Sequence, residues 1–376
     1  MQIVKLKDVV MRVKDKIDKD NTDLEYYIGG EHIDSGEICI TRKGKLEGST
    51  IGPAFHMHFM PGDVLLMSRN PHLKKAGVVD FEGICSDVSY ICRTKDESVL
   101  LQRYLPFIFQ TNHFWQFVEE NKKGGLPFFL NWSDFERYEF PLPNIEKQKE
   151  LSDLLWSALD TKLSYIELLK QTDELVKSQF IEMFYDKGYP VKCIGDVIDK
   201  KITRVAKVFE KTDEIQYLDI SSIDNSSKTV TGLTPHVLKD APSRAQYVLK
   251  QGDILYSTVR PNLQNIAINP YSYGNVIGST GFCVLRCLDV TTGYMWGVVN
   301  SVLFTNAMIN KASGANYPAV TDKVVHAYEI PVPPLEEQNE FEQLIKQSDK
   351  SKFEIKNAIK KIDDMLVSIM KEIYNN

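Results

Sequence analysis

Two short loops in the sequence carry side chains that can bind nucleic acid. One reads SRNPHLKKAG from Ser68 to Gly77, and the other reads STVRPNLQN from Ser257 to Asn265. Arginine can donate two hydrogen bonds to guanine, asparagine or glutamine can pair with adenine, and serine or lysine can hold a phosphate. The same residue types also make an ordinary polar surface turn, so both interpretations stay open. The candidate residues are Ser68, Arg69, Asn70, Lys74, Lys75, Ser257, Thr258, Arg260, Asn262, Gln264 and Asn265.

Two further segments are candidates for the same chemistry. TRKGK supplies Arg42 and Lys43 and is equally typical of a solvated turn. SGANYPAVT, residues 313–321, could set main-chain amides and the side-chain amide of Asn316 against phosphate. The alternative for this second segment is a structural loop that enters the strand before the helix, and the structural interpretation is slightly favoured.

Metal binding and catalysis have little support in the sequence. His56 and His58 could project from one side of a strand, but no acidic or cysteine companion lies near them in sequence, so we expect no metal. The cysteines form no CxxC pair and are expected to be buried thiols. No ATP-binding GxxxxGK[ST], no [DNS]PP[YFW] and no glycine-rich S-adenosylmethionine turn is found. We therefore expect the chain to catalyse nothing alone. The six cysteines are Cys39, Cys85, Cys92, Cys193, Cys283 and Cys287.

An internal repeat must position these loops. PLPNIEKQKEL, which begins at Pro141, returns as PVPPLEEQNEF, which begins at Pro331, at an offset of 190 residues. The prolines and the residues after them predict the start of a long helix in each copy. GDVLLMS and GDILYST, the strand-like motifs ahead of the two loops, share the offset. Mixed strands and loops are expected elsewhere, with helix within residues 100–121, so the chain is predicted to be a tandem α+β repeat.

Both predicted helices carry a heptad seam of apolar residues, one starting at Leu151 and the other at Phe341. A parallel pair in register would face Lys162 with Lys352, and like charges repel. An antiparallel pair sets each lysine opposite an apolar or small residue and leaves its ammonium group free to reach water. We therefore predict an antiparallel coiled coil, roughly 60 Å long for helices of about 40 residues.

Composition limits the classes of protein. The chain of 376 residues is too long for one core, and its net charge is −6. Acidic residues outnumber basic ones on both predicted helices, so a nucleic-acid partner would need a local basic surface. No apolar run approaches the roughly 18 residues of a membrane span, and no leader is recognised. The cytoplasm is the expected location.

With these motifs in place, the chain resembles, over essentially its full length, the specificity subunit of a type I restriction-modification system. The resemblance rests on GDVLLMS, GDILYST, ASGANYPAVTDKVVHAYEIPVPPLEEQNEF and the looser counterpart GGLPFFLNWSDFERYEFPLPNIEKQKEL. The first copy departs from the pattern at Asn144, where Pro334 stands in the second, and at FFLNW, where NYPAV stands.

The resemblance implies an organisation and a set of partners. Target recognition domains are expected at residues 1–144 and 188–334, a central helix at 145–187 and a C-terminal helix at 335–376. Each domain would read one half of a split, asymmetric site in double-stranded DNA. Two methyltransferase subunits are the implied partners, joined by nuclease or translocase subunits in a restricting system. S-adenosylmethionine would belong to the methyltransferase, and ATP and Mg to the nuclease, while this chain binds no cofactor.

Two other functions stay open: an enzyme that modifies or cuts DNA by itself, and a coiled-coil scaffold without DNA specificity. The acidic outer faces of the helices are predicted to contact the methyltransferase. Charge reversal at Glu167, Asp173 and Glu174 together is expected to weaken this assembly without unfolding the domains. The length of the helices is predicted to set the spacer of the split site.

Overall fold

The chain divides into two compact units in the computed structural model, which describes residues 2–314 and 316–375 and side chains as far as Lys371. Unit 1 comprises Met1–Tyr165 and Ala358–Asn376, and unit 2 comprises Ile166–Asn357. The predicted division into four domains stays a prediction. No helix among the described residues is long and apolar enough to cross a membrane.

Unit 1 contains two four-stranded sheets and one two-stranded sheet. The first has the order β2-β9-β6-β7 with antiparallel neighbours, and the second has the order β4-β3-β8-β5 with β3 and β8 parallel. β1 pairs with β10. The elements are β1 (Gln2–Lys5), α1 (Leu6–Val9), β2 (Val10–Val13), β3 (Tyr26–Ile28), β4 (Gly44–Lys45), β5 (Phe55–Phe59), β6 (Val64–Met67), β7 (Ala76–Val78), β8 (Gly83–Ser86), β9 (Ser89–Thr94), α2 (Leu105–Ile108), α3 (Asn112–Asn121), α4 (Trp132–Phe135) and β10 (Glu139–Leu142).

Unit 2 repeats this plan. Its sheets have the orders β15-β12-β19-β16, with β12 and β19 parallel, and β18-β17-β20, and β11 pairs with β21. A small hairpin, β13-β14, is added. The elements are β11 (Val191–Cys193), β12 (Glu214–Leu218), β13 (Ile223–Asp224), β14 (Thr229–Val230), β15 (Thr234–Val237), β16 (Ala245–Val248), β17 (Ile254–Ser257), β18 (Ile266–Ile268), β19 (Val276–Ser279), β20 (Phe282–Leu285), α6 (Thr292–Asn300), α7 (Val302–Lys311), α8 (Asp322–His326) and β21 (Glu329–Pro331).

Two long helices, α5 (Ile145–Phe184) and α9 (Leu335–Asn375), each contribute to both units. The first part of α5 packs with the last part of α9 in unit 1, where Leu366 joins the core that contains Leu155. In unit 2 the last part of α5 meets the first part of α9, and the ring of Phe180 lies 5.2 Å from that of Phe341. The predicted antiparallel helix pair is therefore confirmed.

The two seam lysines differ from the expectation in one respect. Lys162 Nζ lies 3.0 Å from Asp363 Oδ1 in unit 1, and Lys352 Nζ lies 2.9 Å from Asp173 Oδ1 in unit 2. Their ammonium groups were expected to reach water, and that was wrong, because a carboxylate on the opposite helix holds each of them. The carboxylate of Asp173 is thus engaged by Lys352 and is not a free acidic group, although its side chain is 54% exposed.

The repeated aspartates of the GD motifs fix the entry to β6 and β17. Asp63 and Asp253 are almost fully buried. Arg93 donates two hydrogen bonds to Asp63 at 2.7 and 2.8 Å, and Arg286 donates two to Asp253 at 2.8 and 2.7 Å. Two-pronged pairs of this kind hold both partners in one geometry. The motif therefore anchors the strand that leads into each candidate loop.

The thiols were expected to be buried, and this is wrong for half of them. Cys85, Cys92 and Cys283 are buried. Cys39 and Cys193 are only half-buried, as is Cys287. All six are free thiols in the described part of the chain.

Candidate nucleic-acid interface

The two candidate loops have the same backbone conformation. Each contains a single turn of 3-10 helix, Pro71–Leu73 in unit 1 and Pro261–Leu263 in unit 2. A residue with positive φ stands on either side of each turn. The φ values are 52° at Asn70, 51° at Lys74, 51° at Arg260 and 50° at Gln264.

Positive φ is uncommon outside glycine, and asparagine tolerates it better than arginine, lysine or glutamine. Holding such a residue costs on the order of 1–3 kcal/mol and is characteristic of functional segments. Most of the non-glycine residues that adopt it in the described chain belong to these loops, and Lys228 contacts one of them. They are Asn70, Lys74, Asp186, Lys228, Arg260 and Gln264.

A second loop, distant in sequence, clamps the first in unit 1. The amide of Asn70 donates to the carbonyl of Phe128 at 2.8 Å, and the amide of Leu130 donates to the carbonyl of Ser68 at 2.8 Å. The loop after β6 and the segment after α3 therefore form one surface. Because the two stretches are far apart in sequence, this pairing could not be read from local patterns.

Unit 2 has the equivalent clamp. The amide of Arg260 donates to the carbonyl of Pro318 at 2.7 Å, and the amide of Val320 donates to the carbonyl of Thr258 at 2.9 Å. NYPAV and FFLNW thus supply the same main-chain bonds despite their different sequences. SGANYPAVT was favoured as a structural loop, and its main chain has that role.

Three candidate hydroxyls are occupied within the loops. Ser68 donates to Val88 O at 2.6 Å. Ser257 donates to Val259 O and Thr258 to Gly281 O, both at 3.0 Å. All three side chains are at most 9% exposed. These hydroxyl groups stabilise the loop conformation and are not accessible at the protein surface.

Lys75 and Gln264 also bind within the protein. Lys75 Nζ donates to the carbonyl of Gly30. The amide nitrogen of Gln264 donates to Thr305 Oγ1 at 2.9 Å, and its oxygen accepts from Lys228 Nζ at 3.2 Å. No sequence pattern indicated Lys228, which the fold brings to this loop.

Lys228 is a half-buried cation that supports the second loop. Its ammonium group also donates to Asn300 at the end of α6. Burial, together with the nearby positive charge of Lys177, lowers the pKa of Lys228 to about 8. The side chain joins the β13-β14 hairpin to the loop through Gln264. It therefore acts as a positioning group.

The remaining candidates form the outer surface. Arg69 and Lys74 are exposed in unit 1, and Asn70 of the same loop is half-buried, as is Asn265 of the loop in unit 2. Arg260 and Asn262 are exposed in unit 2, together with Asn316 from the clamping segment. The guanidinium of Arg260 lies 4.5 Å from the centre of the Tyr317 ring. Exposed cations and amides on a stiff backbone are suited to phosphate and base-edge contacts.

Arg42 and Lys43 diverge in their surroundings. Arg42 pairs with Asp34 at 2.5 Å on a segment that reaches the first loop, since the amide of Gly36 donates to the carbonyl of Lys74. Lys43 Nζ instead lies 3.8 Å from the centre of the Tyr26 ring. The structure brings the Arg42 segment to the candidate surface and turns Lys43 onto an aromatic side chain.

His58 has acidic companions that local sequence did not reveal. Its Nδ1 lies 2.8 Å from Asp15 and its Nε2 lies 2.8 Å from Glu82. Because the carboxylates hold opposite ring nitrogens, the three groups do not converge on one ion. His56 Nδ1 lies 3.1 Å from the carbonyl of Pro53. No cluster of three or more potential ligands for a metal is found in the residues that the structure describes.

Comparisons with known proteins agree on one family. The model of the type I restriction modification DNA specificity domain matches residues 186–362. The EcoDI specificity subunit of Escherichia coli is 25% identical over 142 residues, which are 37% of this chain and 31% of that subunit. The MjaVIII specificity subunit of Methanocaldococcus jannaschii is 24% identical over 67% of this chain and 66% of its own length. The putative MjaX subunit from the same organism is 21% identical over 90% of this chain and 85% of its own length.

Solved structures share the fold. A chain from a study of complex assembly and conformational transition of the type I restriction-modification system aligns with a TM-score of 0.59 at 18% identity, covering 99% of this chain and 97% of that one. The type I S subunit from M. genitalium aligns with a TM-score of 0.57 at 11% identity, covering 99% and 96%. The relatives are specificity subunits, which confirms the expectation of a non-catalytic class. The chain is therefore similar to the specificity subunits of type I restriction-modification systems, and its residues 186–362 match their DNA specificity domain.

Proposed function

We propose that the chain reads double-stranded DNA through one clamped loop in each unit. The observation that carries this proposal is the repeated pair of positive-φ residues around Pro71–Leu73 and Pro261–Leu263, because strain maintained in both copies indicates a constraint other than stability. The overall charge is acidic, yet the outer side chains of these loops are cations and amides. A local basic surface is enough for steering and phosphate contact.

The residues have distinct proposed roles. Arg69 and Arg260 can each fork onto a guanine, and Asn262 or Asn316 onto an adenine. Lys74 neutralises a phosphate, as does Arg42 where it can leave Asp34. Ser68, Ser257, Thr258 and Gln264 act through the loop conformation, since their polar groups are engaged inside the protein.

The loops differ in sequence between the two units, so the proposed target has two unlike halves. Its partners are two methyltransferase subunits that carry S-adenosylmethionine, and in a restricting system nuclease or translocase subunits that carry ATP and Mg. The chain itself supplies recognition and no cofactor. It would act in the cytoplasm, where its DNA is.

Methylome sequencing of cells that express the chain with its methyltransferase tests the proposal. A single modified motif in two unlike parts is expected. Arg260→Ala should relax the base preference in one half of the motif, and Arg69→Ala should relax it in the other half. Each lost base contact should reduce the discrimination between bases by roughly 1–3 kcal/mol. Methylation without sequence preference would instead support a scaffold. Turnover by the purified chain with DNA, Mg and S-adenosylmethionine, in the absence of other subunits, would contradict a recognition role.

We further propose that the methyltransferase docks on the acidic outer faces of the helices. Asp173 no longer belongs among the test residues, because it pairs with Lys352. Glu167→Lys combined with Glu174→Lys should weaken assembly, measured by light scattering, while thermal unfolding stays unchanged. Lys149→Glu, on the exposed surface of α5, is the charge control. An unchanged mass of the complex for the double variant would rule out this docking surface.

The length of the helices is proposed to set the spacer between the two half-sites. Removal of one heptad from α5 and the opposing heptad from α9 keeps the seam in register and shortens the pair by about 10 Å. The methylated motif should then lose roughly three base pairs of spacer. A folded, active complex that keeps the original spacer would show that helix length does not set the spacer.

A further inference from the structure

The tip of the clamping segment in unit 2 exposes a large aromatic side chain. Tyr317 is 67% exposed, although tyrosine is more often half-buried. The guanidinium of Arg260 lies 4.5 Å from the ring centre, and its Nη2 donates to the carbonyl of Asn316 at 3.5 Å. The adjacent main chain is fixed by the bond from the amide of Arg260 to Pro318. The ring is thus held at the surface beside a cation.

Unit 1 exposes a bulky apolar side chain at the equivalent tip. Leu126 is 86% exposed, between the bridge partners Lys123 and Phe129. The tip of unit 2 lies between the corresponding bridge partners Ser313 and Ala319. Single exposed apolar residues are common on protein surfaces. Both fixed tips nevertheless expose one bulky side chain, Leu126 in unit 1 and Tyr317 in unit 2, and each directly precedes a proline.

We propose that Tyr317 is a wedge that stacks on a nucleobase where unit 2 binds DNA, with Leu126 as its counterpart in unit 1. This inference rests on the proposed DNA-reading function. Side chains that insert between base steps are apolar or aromatic and stand beside cations that hold the backbone. Arg260 is the cation beside this ring, with its guanidinium 4.5 Å from the ring centre, and it can contact a guanine while the ring stacks on a neighbouring base.

The wedge makes a prediction that phosphate contact alone does not make. Stacking on an aromatic side chain separates neighbouring bases, so 2-aminopurine at that step should brighten on binding. Tyr317→Ala should abolish the brightening and weaken binding about tenfold or more, whereas Tyr317→Phe should keep both. Tyr273→Ala is the matched control, because Tyr273 is a surface tyrosine of unit 2 that is 47% exposed.

The experiment uses the full chain with its methyltransferase subunits and duplexes that contain the methylated motif. 2-Aminopurine is placed at each position of the half-site except the methylated base, because the methyltransferase can itself displace that base. Titration at constant salt gives affinity and fluorescence together. Light scattering of each variant complex reports assembly.

The outcomes separate the two proposals. If the wild-type complex shows no preference for the motif, the DNA-reading function fails and the wedge fails with it. If binding is specific but no position brightens, or Tyr317→Ala behaves as the wild type, the wedge alone is overturned. If Tyr317→Ala prevents assembly, the ring contacts a protein subunit and the inference is wrong. Brightening that depends on an aromatic residue at 317 supports it.

Discussion

The ammonium group of Lys352 lies 2.9 Å from the carboxylate of Asp173 on the opposite helix. The internal repeat carries the same pair in unit 1, where Lys162 meets Asp363. Adding 190 to Lys162 gives Lys352, and subtracting 190 from Asp363 gives Asp173. The two ion pairs are thus the same interaction in the two copies, and each joins α5 to α9 at an equivalent position of the repeat.

Reversing one charge of this pair should destabilise unit 2. Burial would lower the pKa of Lys352, but hydrogen bonds to Asp349 and Asp173 outweigh it and leave the pKa raised. Asp173→Lys sets like charges together and should cost about 1 kcal/mol or more of unfolding free energy in urea. The swap of Asp173→Lys with Lys352→Asp should restore part of that loss. A swap no better than the single variant would show that the pair does not determine register.

Glycine in place of a strained residue should stabilise the first loop. Lys74→Gly relieves a φ of 51° and should raise the free energy of unfolding of unit 1 by about 1 kcal/mol. Leu73→Gly, one residue earlier in the 3-10 turn, should lower it by about the same amount. Thermal unfolding measures both variants. DNA affinity should fall for Lys74→Gly despite the added stability, and a loss of stability would contradict the strain argument.

His58 should make the stability of unit 1 depend on pH. Burial lowers its pKa, but hydrogen bonds to Asp15 and Glu82 outweigh this and leave the pKa raised above its ordinary value. A raised pKa means that the folded state binds the proton more tightly. The stabilisation is therefore complete below about pH 6.5 and is lost as pH rises through the folded-state pKa. His58→Gln should remove this dependence in urea unfolding, and His56→Gln should keep it.

One buried glutamine should be needed at the start of each long helix, Gln148 in α5 and Gln338 in α9. The amide of Thr291 donates to Gln338 Oε1 at 2.8 Å, and Gln338 Nε2 donates to Pro333 O at 2.8 Å. Gln338→Ala leaves both main-chain groups without a partner and should cost on the order of 2–3 kcal/mol. Asn339→Ala, at an exposed neighbour, should change little. An equal effect of the two variants in urea unfolding would contradict this role.

The sequence predicted the architecture well because its signals repeat. The same signals occur in both copies: the offset of 190 residues, the proline-flanked helix starts and the heptad seam. Both copies fold into the arrangement that these signals predict. The direction of the helices followed from one pair of lysines. The carboxylates that hold them were missed, since a seam position does not show which charge stands across from it.

The candidate surface was harder to predict because it is assembled from distant segments. Nothing local to Arg260 indicates that Tyr317 will lie beside it. Serine and threonine suggested phosphate contact, yet Ser68 and Thr258 use their hydroxyls inside the loop. Likewise His58 is separated in sequence from both Asp15 and Glu82, and only the sheet brings them together.

The last part of α9 belongs to the unit that is made first. Leu366 lies in the core of unit 1, while unit 2 draws only on the continuous stretch Ile166–Asn357. During translation the second unit therefore has all its residues before the first does. Unit 1 must wait, with part of its apolar surface uncovered, for the segment Ala358–Asn376 to leave the ribosome. A stop codon ahead of Ala358 would thus leave the core of the first unit incomplete.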